Sequence, residues 1–431
     1  MDIKIRTQKI FGDILWWAGV VGLLLLSQTG IESLLSLFTG TGLRIFINPD
    51  LLKNDPAILA AIVTPIRGIT LLFSLFILSV PIFQSIRQSG MVRESRITYA
   101  HAAQALLLLF VLCLIFPPGQ ISGLAEEYAN TSLIMFTKLS TVSYHRRFLM
   151  PAIAHILFMR GPLFFLIFSF ICTLTLIFIL RLWFESNQIR VSFWQLISLG
   201  TTSFIYFQIR TPGYPDVLIS IFILLAFIFA RDTRSKLSLF VLSLASHEAS
   251  LIIWFSLALT LFNAKGFIQF FVISGIYIFM LFALNDGIAG VLATRNLGEK
   301  SNLMWILDDP ARALMGIVFS LKALWIMVIG AITYLLSKRR TKEAFQIIVI
   351  LLSGILMIFM GVDTSRLFGW TFMAILISWK VLEHSEHNWK KIINIALIVN
   401  LLIPSVDVYM FGQPVIMSGF YQYIFSFFTN F

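Results

Sequence analysis

Long apolar stretches alternate with short polar, mostly basic segments from one end of this chain to the other. About 20 apolar residues in a helix cross a hydrocarbon core of ~30 Å, so the pattern predicts an all-α integral membrane protein. Eleven transmembrane helices are expected: Gly12–Phe38, Ala57–Ile86, Tyr99–Phe116, Pro162–Leu182, Phe193–Gln208, Asp216–Ala230, Phe267–Asn285, Ala313–Ser337, Ala344–Gly361, Leu367–Leu382 and Ile392–Val408. One further apolar run, Leu237–Phe262, is broken in its middle by Ser246-His247-Glu248. A charged group at the bilayer centre costs roughly 2.5–3.5 kcal/mol on insertion scales. Such a group is expected to face a cavity, a partner or a substrate.

The distribution of Lys and Arg says how these stretches are threaded, because short cytoplasmic loops are enriched in both. Met1–Lys9, Arg87–Arg96, Arg181–Arg190, Arg231–Lys236, Lys265, Lys338–Lys342 and Lys380–Lys391 hold more than half of the 32 basic residues and are placed inside. Arg231–Lys236 and Lys265 flank the broken run, so a single crossing would strand one of them outside. A broken helical hairpin that enters and returns on one side resolves this, with halves Leu237–Ala245 and Ala249–Phe262 of roughly 14 and 21 Å at 1.5 Å per residue; the alternative is a single tilted helix over Leu237–Phe262. Non-helical backbone at membrane depth must lie against protein or a watery cavity, so His247 and Glu248 become the tip of an outward-facing pocket.

Composition agrees and adds exclusions. Charged residues make up 12% of the chain against 58% hydrophobic, where soluble domains carry about 25% charged. The net charge of +11 is spread over helix ends, which suits orientation and anionic headgroups better than nucleic acid. Cys113 and Cys172 both fall in apolar stretches and offer no metal spacing or disulfide framework. Gly12–Phe38 is long for a signal peptide and is read as a retained span. The partners implied are the lipid bilayer and molecules presented in it, with no nucleic acid.

The remaining basic residues lie on the outer side, where charge bias alone does not put them. Glu126-Glu127-Tyr128 and then His145-Arg146-Arg147 occupy the loop Pro117–Gly161. Adjacent guanidinium forks offer several donors to a phosphate. Ala152–Met159 is too short to span before Arg160-Gly161-Pro162 and is expected to lie in the interface. Arg210 opens a stiff loop, Arg210–Asp216, with two prolines and a glycine. Asp216 starts the next helix, where a carboxylate meets the positive end of the dipole. Asp363 and Arg366 sit at another helix start, spaced to cap and to pair. His101, His155, His384 and His387 have no partner at metal spacing. No cofactor is implied, and a divalent metal stays open, with Asp308-Asp309 a weak signal.

In order along the chain, these features resemble the GT-C superfamily of multi-spanning membrane glycosyltransferases. They are a carboxylate near Tyr in an outer loop, basic residues before an entry helix, a polar hairpin tip, and Asp-x-x-Arg at an outer helix end. The resemblance covers 99–409, leaving 1–98 as a two-helix extension and 410–431 as an aromatic C-terminal tail. It implies a GT-C-like fold and transfer of a sugar from a polyprenyl-(di)phosphate donor to a glycan or lipid acceptor on the outer face. Glu126 or Glu127 would act on the acceptor. Tyr128, His145, Arg146, Arg147, Arg210, Asp216, His247, Glu248, Asp363 and Arg366 would bind substrate. The setting it implies is the inner (plasma) membrane of a bacterium, with the N-terminus cytoplasmic. A polymerase of the O-antigen or exopolysaccharide type is the first alternative, and a non-enzymatic transporter or flippase of lipid-linked sugars the second.

Overall fold

The computed structural model describes residues 12–13, 15–22, 56–88, 99–121, 123–134, 147–283, 302–359, 361, 363–385, 389–409 and 414–417. It is helical almost throughout, with one two-stranded ribbon near the C-terminus, in which β1 (Val406–Asp407) pairs antiparallel with β2 (Val415–Ile416). The helices are α1 (Pro56–Gln88), α2 (Tyr99–Ile115), α3 (Leu124–Ile134), α4 (Leu149–Ile156), α5 (Gly161–Ser186), α6 (Phe193–Gly200), α7 (Ser203–Arg210), α8 (Asp216–Ile228) and α9 (Thr233–Ser246). They continue as α10 (Ser250–Leu261), α11 (Ala264–Ala283), α12 (Asn302–Asp308), α13 (Pro310–Leu321), α14 (Trp325–Ser337), α15 (Thr341–Ile358), α16 (Thr364–Gly369), α17 (Phe372–Glu383) and α18 (Lys390–Leu402).

Among the described residues, four segments are long and apolar enough to cross a membrane: Gly68–Gln88, Gly161–Ser186, Pro310–Ser337 and Thr341–Ile358. The apolar helices at 100–115, 216–228, 250–261 and 264–279 are shorter. The all-α membrane class therefore holds. Two of the eleven expected spans, Phe193–Gln208 and Leu367–Leu382, are pairs of half-helices that meet at Thr201-Thr202 and at Trp370-Thr371. Pro310–Ser337 is long enough although a short turn, Lys322–Leu324, interrupts it, and Gly12–Phe38 lies largely outside the described residues. Large apolar side chains such as Phe76, Phe83, Phe110, Leu163 and Phe279 are exposed, as a lipid-facing surface requires.

The broken run Leu237–Phe262 is a hairpin. Lys236, in the first turn of α9, donates to the carbonyl of Leu261 at the end of α10 (2.6 Å). Arg234, in the first turn of α9, and Lys265, in the first turn of α11, both reach Asp13 at 3.0 and 3.1 Å. The chain thus enters and leaves at one end, called here the basic end. The halves are 14 and 12 residues, about 21 and 18 Å long. Ser243 and Ser246 bond back to the carbonyls of Leu239 and Leu242, a habit that weakens helix continuation. His247 then turns extended (φ −163°, ψ 128°), and its Nδ1 accepts the N–H of Ala249 at 3.1 Å, which seeds α10.

The first span is knitted to this base. Ser85 Oγ donates to Phe229 O and accepts from Arg231 N, and Ser235 Oγ donates to Pro81 O. Cysteines placed at Arg234 and at Lys265 are accordingly expected to react with an impermeant thiol reagent from the same face of sealed vesicles. Labelling from opposite faces would contradict the hairpin.

Candidate functional site

The hairpin tip meets four other segments at the end opposite the basic one. From the loop before α4 comes Arg147, which grips Glu248 with both prongs: Nε to Oε2 at 3.0 Å and Nη2 to Oε1 at 2.9 Å. Parallel bonds of this kind are the strongest geometry available to an arginine and a carboxylate. Its third donor, Nη1, lies 3.3 Å from the phenol oxygen of buried Tyr128 on α3. Burial works against the Arg147 charge, but Glu248 and Tyr128 outweigh it and hold the guanidinium protonated more firmly than usual. His247 is buried, with its ring edge-on to Trp370 at 5.2 Å between centroids. Its Nδ1 takes the Ala249 N–H at 3.1 Å and also lies 3.5 Å from Glu248 Oε2.

Trp370 joins this half of the site to the next. Its indole N–H donates to Asp216 Oδ2 at 3.3 Å. The same oxygen lies 3.0 Å from Arg366 Nε, and Asp363 Oδ2 lies 3.3 Å from Arg366 Nη1, ion-pair contacts in which neither Arg366 Nε nor Asp363 Oδ2 has hydrogen-bond geometry. The Arg366 guanidinium lies over the rings of Phe207 (5.0 Å) and Tyr214 (4.7 Å), a cation–π position. Asp363 also caps α16 by accepting Arg366 N–H, so the capping and pairing readings of Asp-x-x-Arg are both realised. Asp216 lies in the first turn of α8, yet its side chain caps no backbone N–H and serves Arg366 and Trp370 instead.

A third carboxylate arrives from the C-terminal ribbon. Asp407 accepts from Ser365 Oγ at 2.5 Å. Thr364 anchors the same segment through its N–H and Oγ1, both donated to Val408 O, and Asp363 bridges Tyr409. Burial and the charge of Asp407 push the Asp363 carboxyl well above the usual range, with Arg366 opposing. Burial, then Asp363 and Asp407, push the Tyr409 phenol up as well. Gly316 and Gly369 make these approaches feasible: a Cβ at either would collide with Thr364 or Ser203.

The site residues expected from the sequence fall into three groups. Tyr128, Arg147, Asp216, His247, Glu248, Asp363 and Arg366 form one continuous polar cluster. His145 and Arg146 lie outside the described residues. Glu126, Glu127 and Arg210 are nearby in the chain but do not bond to the cluster. Arg210 ties the end of α7 to the loop after α2, donating to Pro117 O at 2.6 Å while its carbonyl accepts from Gly119 N–H. Glu126 is exposed. Glu127 is half-buried, Oε2 has no hydrogen-bond partner among the described residues, and burial raises its carboxyl above the usual range. The expected interfacial helix is α4, displaced to Leu149–Ile156. His155 Nδ1 bonds to Ser132 O, and Phe158 projects outward beyond the helix end. No group of three metal-ligating side chains occurs among the described residues.

Trp370, Asp407, Tyr409 and Lys322 were not anticipated. Trp370 carried no signal beyond its aromaticity, and Asp407 stood alone at the end of an apolar run. Lys322 is the most unusual of them. It is buried near the middle of Pro310–Ser337, and its Nζ donates to Thr201 Oγ1 (2.9 Å), Ile403 O (3.0 Å) and Ser405 Oγ (3.2 Å). Its backbone has φ 50° and ψ −126°, a conformation that costs a non-glycine residue on the order of 1–3 kcal/mol. Its charge in an apolar window of this length was the one available warning.

Comparison with family models, characterised proteins and solved structures returns no match for this chain.

Proposed function

We propose that the cluster is the substrate site of a membrane glycosyltransferase that uses a sugar carried on a polyprenyl phosphate or diphosphate and acts on the non-cytoplasmic face. The observation that carries this reading is the meeting of Arg147 and Arg366 with Tyr128, Asp216, His247, Glu248 and Asp363 at the end away from the basic loops. Glu127, the residue before Tyr128 on α3, adds a carboxylate whose Oε2 has no hydrogen-bond partner among the described residues.

The transfer needs a proton acceptor and a cationic partner for the departing phosphate. Glu127 takes the proton from an acceptor hydroxyl as that oxygen bonds to the anomeric carbon. The bond from that carbon to the phosphate oxygen breaks, and the phosphate leaves with the electron pair. Arg147 reaches it with Nη1, whose neutral phenol contact at 3.3 Å is the weakest of its three. Glu248 holds the other two donors and so fixes the direction of Nη1. His247, packed against Trp370 and beside Glu248, fixes the hairpin tip at the site. Arg366, already engaged with Asp216 and Asp363, supplies field and rigidity rather than direct contact.

Glu127→Gln is expected to abolish transfer without loss of protein. The sign of the pH effects separates chemistry from folding. A carboxyl raised by burial favours the fold when protonated. Its stabilising share is present below its unfolded pKa and is lost as pH rises through the folded one. Stability of the Gln variant at neutral pH should equal or exceed that of the wild type, while wild-type transfer rises with pH through that same raised pKa. Full transfer by Glu127→Gln, by Glu126→Gln and by the double variant would exclude a carboxylate base in this loop.

A transporter of lipid-linked sugars is the second reading, and one observation favours it. Lys322 marks a meeting of interrupted helices near mid-membrane, an arrangement common to transporter binding sites. The large polar cluster lies elsewhere, at one end, which suits an enzyme working on one face.

A further inference from the structure

Lys322 is buried among neutral oxygens that come from three separate segments of the chain. Three helix C-termini converge on its side chain. Thr201 is the C-cap of α6, Ile403 is the C-cap of α18, and Lys322 is itself the C-cap of α13. Each terminus presents the negative end of a helix dipole. The three acceptors match the three donors of a charged ammonium, and all are neutral oxygens: two hydroxyls and one carbonyl. Ionisable side chains in membrane spans pair with one another or with backbone carbonyls, and Lys322 takes one carbonyl and two hydroxyls, with no carboxylate among its hydrogen-bond partners in the described residues. The second layer is oxygen-rich as well. Asn400 donates to Thr201 Oγ1 and to Ser198, and its own buried amide oxygen has no hydrogen-bond partner among the described residues. Ser405 in turn donates to Thr201 O at 2.7 Å.

We infer that Thr201 Oγ1, Ile403 O and Ser405 Oγ form an alkali-cation site at the junction of α6, α13 and α18, and that Lys322 fills it with a tethered ammonium. Half-helix C-termini and unwound carbonyls bind alkali ions elsewhere in membrane proteins, and an ammonium is close to potassium in size and charge. The lysine replaces a soluble ion whose supply would vary with one that does not. It also accounts for the left-handed backbone of Lys322, since that turn aims the side chain back at the three oxygens. The site holds the segment 403–407 in place, and that segment delivers Asp407 to Ser365.

The inference is independent of whether the chain is an enzyme or a transporter. The test is thermal unfolding of the purified full chain in detergent, as wild type, Lys322→Ala, Lys322→Met and the double variant Lys322→Ala/Ser405→Ala. Each is measured in potassium, sodium and N-methylglucamine chloride at equal ionic strength. Wild type and Lys322→Met should have the same Tm in all three salts, the first because the site is filled by charge and the second because it is filled by an apolar chain. Lys322→Ala should gain Tm in potassium, less in sodium, rising with the logarithm of ion concentration as binding to the folded state requires. Ser405→Ala should remove that gain. The inference is overturned if Lys322→Ala behaves alike in the three salts, if wild type gains as much, or if Lys322→Ala cannot be recovered folded even in potassium.

Discussion

Glu248→Gln should both destabilise the protein and stop its reaction, and the two effects should separate in a compensated double variant. Arg147 and Glu248 are 17% and 10% exposed, and each offers the other two well-aligned bonds. Removing one member of a buried ion pair leaves the other charge without a partner and costs about 3–5 kcal/mol. Glutamine keeps the shape but not the charge, so the loss should fall in the lower part of that range. Tm should drop measurably. Arg147→Met combined with Glu248→Leu should recover most of the stability, because an apolar pair of similar volume is often neutral or better than the ion pair it replaces. Transfer should stay absent in the double variant. If Glu248→Gln keeps wild-type Tm and transfer, the pair is neither a lock nor part of the site.

Arg366→Lys should be nearly as damaging, although the charge is kept. Arg366 joins Asp216 and Asp363 through Nε and Nη1 and lies over Phe207 and Tyr214. An ammonium has neither the fork to span two carboxylates nor the planar face that stacks on two rings. Asp216, fully buried, would keep only the Trp370 indole. The expected loss is about 3 kcal/mol or more, of the order seen when a buried charge loses its partner. Asp216→Asn should act in the same direction, and a double-mutant cycle should return coupling of about 0.5–3 kcal/mol. Additive effects would mean that the two side chains are held apart in solution.

Much of this arrangement was legible in charge placement. Arg231–Lys236 and Lys265 could share one face only if the run between them doubled back, and the contacts of Lys236 with Leu261 and of Asp13 with Arg234 and Lys265 are the physical form of that constraint. Polar residues stranded near apolar ends also marked Arg147, Asp216, His247, Glu248, Asp363 and Arg366. Which of them would meet was not readable. Arg147 and Glu248 lie 101 positions apart, and nothing local distinguishes Arg147 from Arg146. The helix breaks at Thr201-Thr202 and Trp370-Thr371 contain no proline, and the single glycine before each, Gly200 and Gly369, is too weak a signal to divide an apolar window. Trp370 and Tyr409 look like lipid-facing aromatics until their polar edges are placed. Lys322 bonds to hydroxyls and a carbonyl, groups that leave no charge signature in a sequence.

The central claim is that the polar cluster transfers a sugar from a polyprenyl-linked donor. The most direct measurement is mass spectrometry of the lipid-linked glycan pool in cells lacking the protein, complemented with the wild type or with Glu127→Gln. The account predicts accumulation of a single-sugar polyprenyl phosphate or diphosphate, cleared by the wild type and not by Glu127→Gln. Accumulation of a diphosphate-linked oligosaccharide repeat would contradict it in favour of a polymerase. A pool restored equally by wild type and Glu127→Gln would contradict it outright.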